Sequence, residues 1–258
     1  MPAPRGKFIW YDVMVNDTKT ASDFYKAVVG WNAAEFPMAD GSNYIVFSQG
    51  ETMVGGLMKI PPEASAMGAR PCWSGYIAVD DVDADAKRIV DAGGKIMRPP
   101  TDIPNVGRFA VVADTGGAMF MIFKPGTDET PAAHPAMAPG FVGWHELYAE
   151  NLDREWDFYS TIFGWKKERS MDMGEMGLYQ TFAVNGVETG GMMKRPSQVP
   201  MPFWNYYLGV DSVTAAIERT TKNGGKVMMG PQDVPGGAWI MQGLDPEGAF
   251  FSVISTTK

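Results

Sequence analysis

The sequence predicts an α+β protein made by duplication: four βαβββ units in two tandem pairs, each half a curved mixed sheet with helices outside. Three observations carry this expectation. The two halves match each other at rare residue types over most of their length. Each half alternates strand-like runs with single amphipathic helices. The chain of 258 residues is 45% apolar and 20% charged, the proportions of a soluble globular protein. At roughly 150 residues per domain, this length suits two small domains.

The duplication is read from pairs. Trp10 matches Trp144, Phe24-Tyr25 matches Phe158-Tyr159, and Gly30-Trp31 matches Gly164-Trp165. Gly55-Gly56 meets Gly190-Gly191, Trp73 meets Trp204, and Val79-Asp80 meets Val210-Asp211. Further on, Gly93-Gly94-Lys95 meets Gly224-Gly225-Lys226, Asp114 meets Asp245, and Gly117-Ala118 meets Gly248-Ala249. Between the copies, residues 126–140 are rich in Pro, Ala and small polar residues without helical or strand periodicity, so they read as a linker that includes His134. The expected domains are therefore 1–125, with units at about 8–60 and 72–125, and 141–258, with units at about 141–195 and 203–256.

Within the first half the elements follow in order. Phe8 to Val15 is apolar and β-prone. Asp17 or Thr18 caps a helix that places Ala21, Phe24, Tyr25 and Val28 on one face and ends at Gly30. Strands are expected at Trp31 to Phe36, Asn43 to Gln49 and Met53 to Lys59, joined by Asp40-Gly41 and Gln49-Gly50 turns. The second unit opens with a strand from Trp73 to Val79. A helix from about Val82 to Ala92 follows, ended by Gly93-Gly94, then strands near Lys95 to Arg98, Arg108 to Ala113 and Ala118 to Phe123.

Composition excludes several classes. The single cysteine, Cys72, permits no intrachain disulfide. No apolar run approaches the roughly 20 residues of a membrane span, so no membrane partner is expected. Nothing behind Met1 to Lys7 resembles a signal peptide, which makes the cytoplasm the expected address. A net charge of −8 argues against a nucleic-acid partner, although it tolerates a cationic small molecule. There is no P-loop, Rossmann glycine fingerprint, nucleophile elbow or CxxC motif. Only two histidines, His134 and His145, are available to a metal site.

Four βαβββ units in tandem pairs resemble the vicinal oxygen chelate superfamily, which includes glyoxalase I, bleomycin-resistance proteins and extradiol dioxygenases. The local text agrees: Asn16-Asp17, Ala21, Phe24-Tyr25 and Gly30-Trp31, then Val79-Asp80-Asp81-Val82 with Gly93-Gly94. Asp245-Pro246-Glu247-Gly248-Ala249 looks like the family's DPxG turn, with Asp114-Thr115-Gly116-Gly117-Ala118 as its degraded copy. The resemblance implies a cup-like half-barrel around a pocket in each half. Its metal-ligand positions would fall on Trp10, Ser74 and Met121 in the first half, and on Trp144, Asn205 and Ser252 in the second. The family's usual His, Gln and Glu ligands are absent from both sets. Divalent cations need carboxylates, imidazoles or thiolates, so neither a metal nor another cofactor is expected.

Two carboxylates stand two residues beyond the strand tryptophans, Asp12 after Trp10 and Glu146 after Trp144, and residues i and i+2 of a strand share a face. A buried carboxylate can serve as an acid or base, or hold a loop or a cationic neighbour in place. His145 points to the opposite face from Glu146, either as a general base or as a packed, hydrogen-bonded ring. Arg108, where the second half has Trp239, is either a rim clamp for an anion or a surface turn residue. Tyr76 and Tyr207 share a face with Ser74 and Asn205. With the paired tryptophans and several of the 19 methionines, they suit a flat apolar or aromatic ligand or a cation over a ring, or for most individual residues ordinary core packing. The expected function is a metal-independent small-molecule binding protein of the glyoxalase/bleomycin-resistance-like kind. The alternative is a lyase or isomerase using Asp12 or Glu146 as acid/base, with or without metal assistance. A protein-interaction role with vestigial pockets is the third reading. Because the duplication supplies both halves in one chain, a monomer or weak homodimer is expected.

Overall fold

The computed structural model describes residues 4–38, 41–127, 135 and 137–258. His134, most of the expected linker and the Asp40 end of one expected turn lie outside the described residues.

The first half runs β1 (Phe8–Val15), α1 (Thr18–Val29), β2 (Asn32–Pro37), β3 (Asn43–Gln49), β4 (Thr52–Lys59) and the short α2 (Pro62–Ala66). It continues β5 (Cys72–Ala78), α3 (Val82–Asp91), β6 (Lys95–Ile103), β7 (Gly107–Ala113) and β8 (Met119–Pro125). The second half repeats this as β9 (Val142–Ala149), α4 (Leu152–Phe163), β10 (Lys166–Asp172), a 3-10 turn (Gly174–Met176), β11 (Leu178–Val184) and β12 (Val187–Lys194). Then come β13 (Phe203–Gly209), α5 (Val213–Lys222), β14 (Lys226–Val234), β15 (Ala238–Leu244) and β16 (Phe250–Ser255). The four βαβββ units are all present. The strand orders of the two eight-stranded mixed sheets are the same: β2-β3-β4-β1-β5-β8-β7-β6 and β10-β11-β12-β9-β13-β16-β15-β14.

Local chemistry explains the boundaries. Asp17 accepts from the backbone N–H groups of Lys19 and Thr20 to start α1, and Gly30 ends it in the left-handed region at φ 90. Asn151 and Gly164 repeat this around α4. The sequence placed Trp31 at the head of β2, but its side chain is buried and its indole donates to the Gly140 carbonyl at 2.7 Å, so the strand begins one residue later. β6 runs past the expected end at Arg98 and through Pro99-Pro100. It is an edge strand, and a register shift between Arg98 and Thr101 accommodates the missing N–H groups. The short α2, opened by Pro62, carried no periodic signal that a sequence reading could use.

The chain divides into two compact units, and each takes one βαβββ module from each half. One comprises Trp10–Trp73, Ala132–Trp144 and Asn205–Lys258; the other comprises Met1–Ile9, Ser74–Pro131 and His145–Trp204. In the first unit Phe24, Tyr25, Trp31, Phe47, Trp73 and Phe251 form an aromatic core between α1 and the strands. A relay runs through it: Trp73 Nε1 donates to Tyr25 Oη at 2.8 Å, and Tyr25 Oη donates to Asp245 Oδ2 at 2.9 Å. The second unit has the copy, with Trp204 Nε1 donating to Tyr159 Oη at 2.7 Å and Tyr159 Oη to Asp114 Oδ2 at 2.9 Å. There Tyr159 stacks on Trp165 at 4.9 Å, and Trp165 on Phe182 at 4.4 Å. The other oxygen of each aspartate gathers the turn's backbone N–H groups, Glu247 and Ala249 in one unit, Gly116, Gly117 and Ala118 in the other. Every buried donor in the relay thus has an acceptor, which is the condition for placing polar atoms in a core.

Of the paired tryptophans, Trp31, Trp73, Trp165 and Trp204 take the core-packing reading. Only Trp10 and Trp144 lie on the opposite strand face.

Candidate functional site

In the unit that holds Trp10–Val15 of β1, the strand face turned away from α1 carries Trp10, Asp12 and Met14. Asp12 is in register with Gly56 and Met14 with Met58, and Val46 of β3 lies across from Gly56. Asp12 is 3% exposed. Its Oδ1 accepts from Tyr44 Oη at 2.6 Å and from Trp10 Nε1 at 3.0 Å, and the same indole N–H reaches Tyr44 Oη at 2.8 Å. Burial and the adjacent Asp12 carboxylate push the Tyr44 phenol well above its ordinary value, so it stays a donor at neutral pH. Gly56 is required here, because a Cβ at that position would run into the Tyr44 hydroxyl and Asp12 Oδ1. Tyr44 was missed by the sequence reading. The repeated Gly-Gly pair was its signal, since a strand glycine marks the close approach of another group.

The other unit has the same construction on β9 and β12. Glu146, buried, is in register with Gly191, and a Cβ on Gly191 would run into the Tyr179 ring. Tyr148, next along this face, stacks on Phe203 at 5.0 Å. His145 points the opposite way. It stacks on Phe8 at 4.3 Å with 12° between planes, and its Nδ1 lies 2.9 Å from the Thr189 carbonyl. A carbonyl only accepts, so Nδ1 carries the proton. Burial lowers the His145 pKa to about 4, which keeps the ring neutral at pH 7. Of its two sequence readings, the geometry is that of the packed ring.

On β5 to β8, Ser74, Tyr76 and Met121 are buried on one face, with Tyr76 in register with Met121 and edge-on to Phe123 at 5.8 Å. Arg108 is not among them. Strand alternation turns it toward α3, where it grips Asp83 through Nε at 2.7 Å and Nη2 at 2.9 Å, and Asp102 through Nη1 at 2.8 Å. These partners raise its already high pKa and occupy the fork that a rim clamp would offer to an anion.

The equivalent face on β13 to β16 is more polar. Tyr207 is in register with Ser252, which is in register with Gln242. Ser252 Oγ donates to Asn205 Oδ1 at 3.0 Å, and Gln242 Nε2 donates to Tyr207 Oη at 2.8 Å. Tyr207, Ile240 and Ile254 form an apolar cluster against which Trp144 and Met229 pack. The structure therefore brings Trp144, Asn205, Tyr207 and Ser252 onto one strand face, as the sequence reading expected, and adds Gln242.

The donor chemistry of these faces does not fit a divalent metal. No group of three His, Cys, Asp or Glu among the described residues can hold one. Asn205 and Ser252 are neutral oxygen donors bonded to each other, and the Trp10 indole offers only an N–H.

The description Glyoxalase/Bleomycin resistance protein/Dioxygenase superfamily matches residues 7–122 and again 141–253. The chain belongs to this superfamily. As a glyoxalase-superfamily member it is 30% identical over 246 residues to the Mycobacterium tuberculosis protein CFP32, provisionally named a glyoxylase, covering 95% of this chain and 93% of that one. It is also 30% identical over 257 residues to the anthracycline biosynthesis protein DnrV of Streptomyces peucetius, covering 95% and 91%. Among solved structures, the Mn(II)-bound glyoxalase of Novosphingobium aromaticivorans superposes with a TM-score of 0.66 at 16% identity, covering 100% of this chain and 84% of that one. The 2,3-dioxygenase LapB of Pseudomonas sp. KL28 gives 0.66 at 13%, covering 98% and 92%. At such identities the superpositions establish the shared glyoxalase fold alone. No helix among the described residues is long and apolar enough to cross a membrane.

Proposed function

We propose that this glyoxalase-superfamily chain binds a neutral apolar or aromatic small molecule, without metal coordination, and that the face on β13 to β16 is where it does so. The observation that carries the reading is the residue set on that face. Asn205, Tyr207, Gln242 and Ser252 are uncharged hydrogen-bonding groups, bordered by Trp144, Met229, Ile240 and Ile254. A few fixed polar groups on an apolar, aromatic lining is the usual make-up of a small-molecule site. The relative named for anthracycline biosynthesis, similar over nearly the whole chain, supports a flat polycyclic ligand.

The test is a tryptophan-fluorescence titration of the full chain with neutral polycyclic aromatics, before and after EDTA and with added Zn, Ni, Mn or Fe(II). Binding that is indifferent to chelator and to metal is expected. Binding that requires about one equivalent of a metal overturns the metal-independent reading.

The second reading, an acid/base lyase or isomerase, draws on the buried Asp12 beneath Tyr44 and on Glu146 in the repeat-related place. Asp12→Asn and Glu146→Gln separate the two readings. Loss of turnover with binding intact supports the enzyme; lost folding stability assigns these carboxylates a structural role. A monomer or weak homodimer is proposed alongside, and sedimentation at micromolar concentration checks it.

A further inference from the structure

We infer that the Asn205 side-chain amide is the polar anchor of the ligand: its Nδ2 donates to a neutral acceptor oxygen, a ketone, quinone or lactone carbonyl, carried by the flat apolar molecule. This rests on the binding reading above and adds a chemical class to it. Asn205 is only 2% exposed, and its Nδ2 is fully buried with no hydrogen-bond partner. Nearly all buried polar atoms in folded proteins are bonded, so an orphaned amide N–H2 is a defect that something outside the chain corrects.

The amide's other end is already engaged. Ser252 Oγ gives its proton to Asn205 Oδ1 at 3.0 Å. No acceptor among the described residues is within hydrogen-bond reach of Nδ2. The Tyr207 hydroxyl already accepts from Gln242 Nε2, while Ile240, Ile254, Trp144 and Met229 border the face with apolar atoms or, for the indole, a further donor.

The chemistry of the missing partner follows. It must accept, since Nδ2 only donates. It must be neutral, since no cation stands among these residues to balance a carboxylate or phosphate. The rest of the molecule must suit an aromatic and aliphatic surround. The repeat-related face lacks the device: Ser74 stands in place of Asn205, Met121 in place of Ser252 and Val111 in place of Gln242. The anchor belongs to the second copy alone.

A matched pair of probes tests this on the full chain by equilibrium dialysis: 2-acetylnaphthalene, which carries the carbonyl, and 2-isopropenylnaphthalene, which replaces its oxygen with CH2. The wild-type protein is expected to bind the ketone about fivefold to tenfold more tightly, the discrimination of one hydrogen bond. Asn205→Leu, close in size, is expected to bind both alike. A second measurement needs no functional variant. In a 15N-labelled wild-type sample, the Asn205 side-chain N–H2 pair, assigned by its absence from Asn205→Leu, should move downfield with the ketone and not with the hydrocarbon. Equal binding of the two probes by the wild type, or a preference that survives in Asn205→Leu, overturns the anchor and leaves the binding reading standing. If neither compound binds, both fail together.

Discussion

In the unit containing α1, the Asp245 turn sends Glu247 onto the helix N-terminus, where Oε2 accepts from the Asn16 and Asp17 backbone N–H groups at 3.0 Å each. In the unit containing α4 the repeat-related turn residue is Gly116, and the carboxylate comes from the helix. Glu155, in the place of Ala21, is fully buried, accepts from Asn151 N at 2.6 Å and Thr115 Oγ1 at 3.1 Å, and pairs with Arg154. A Cβ on Gly116 would meet the Glu155 carboxyl carbon at 2.9 Å, so the two solutions occupy the same space. After duplication the requirement for an acceptor at the helix start persisted, while the position supplying it moved. A residue matched in both copies, such as Tyr25 and Tyr159, therefore marks a shared contact. A mismatched pair can mark the same contact reached from the other side.

The largest expected effect comes from the shared contact. Tyr25→Phe and Tyr159→Phe each strip an indole N–H of its acceptor and an aspartate of a donor. Each should cost about 2–3 kcal/mol in urea unfolding. Losses differing by more than about 1 kcal/mol would break the equivalence of the two relays.

Next is the exchange of carboxylates. Gly116→Glu alone should destabilise, since it intrudes on Glu155, and Glu155→Ala alone should cost about 1–2 kcal/mol. In the Glu155→Ala background, Gly116→Glu should instead restore stability, a change of sign read in a double-mutant cycle. Additive losses would show that the two carboxylates are not alternatives.

Burial raises the pKa values of both relay aspartates, Asp114 and Asp245. Burial, with Glu155 adding to it, raises the Asp114 pKa to about 6 despite the hydrogen bonds it accepts. A carboxyl whose folded pKa is raised contributes stability that is fully present below its unfolded value near 4 and is lost as pH rises through about 6. The wild type should therefore gain about 1–3 kcal/mol relative to Asp114→Asn as pH falls from 7 to about 4. His145 acts with the opposite sign. Its pKa is lowered to about 4, so its contribution is lost as pH falls below about 6.5, and it cancels in this difference. An unchanged difference across that window would remove Asp114 as a titrating group.

The smallest effect tests the site assignment. Arg108→Ala breaks pairs with exposed Asp83 and Asp102, and should change stability by less than about 1 kcal/mol and ligand binding not at all. Lost binding would return Arg108 to the site.

Much of this was legible in the chain. Asp17, Gly30 and the period of Ala21, Phe24, Tyr25 and Val28 describe α1 by local rules alone. The family positions and strand alternation suffice to place Trp144, Asn205, Tyr207 and Ser252 on one face. Gln242 was not legible, because it meets its partner only through register across neighbouring strands, and Tyr44 was signalled only by the Gly-Gly pair that makes room for it. Arg108 had two local readings, and Asp83 on α3 decided between them.

The sequence by itself determined the duplication, the four βαβββ units, the helix caps and the absence of the familiar metal ligands, because these depend on residue types at short separations. Tertiary structure decided which module packs with which. It joined Tyr25 to Asp245 and Tyr159 to Asp114, so that each relay links one half of the chain to the other. It also decided that four repeated tryptophans serve the core and that, among the side-chain nitrogens of the described residues, Asn205 alone keeps a buried N–H2 without an acceptor. Hydrogen-bond partners far apart in sequence are chosen by packing, and two equivalent copies of a motif leave a linear reading no means of telling which partner each will take.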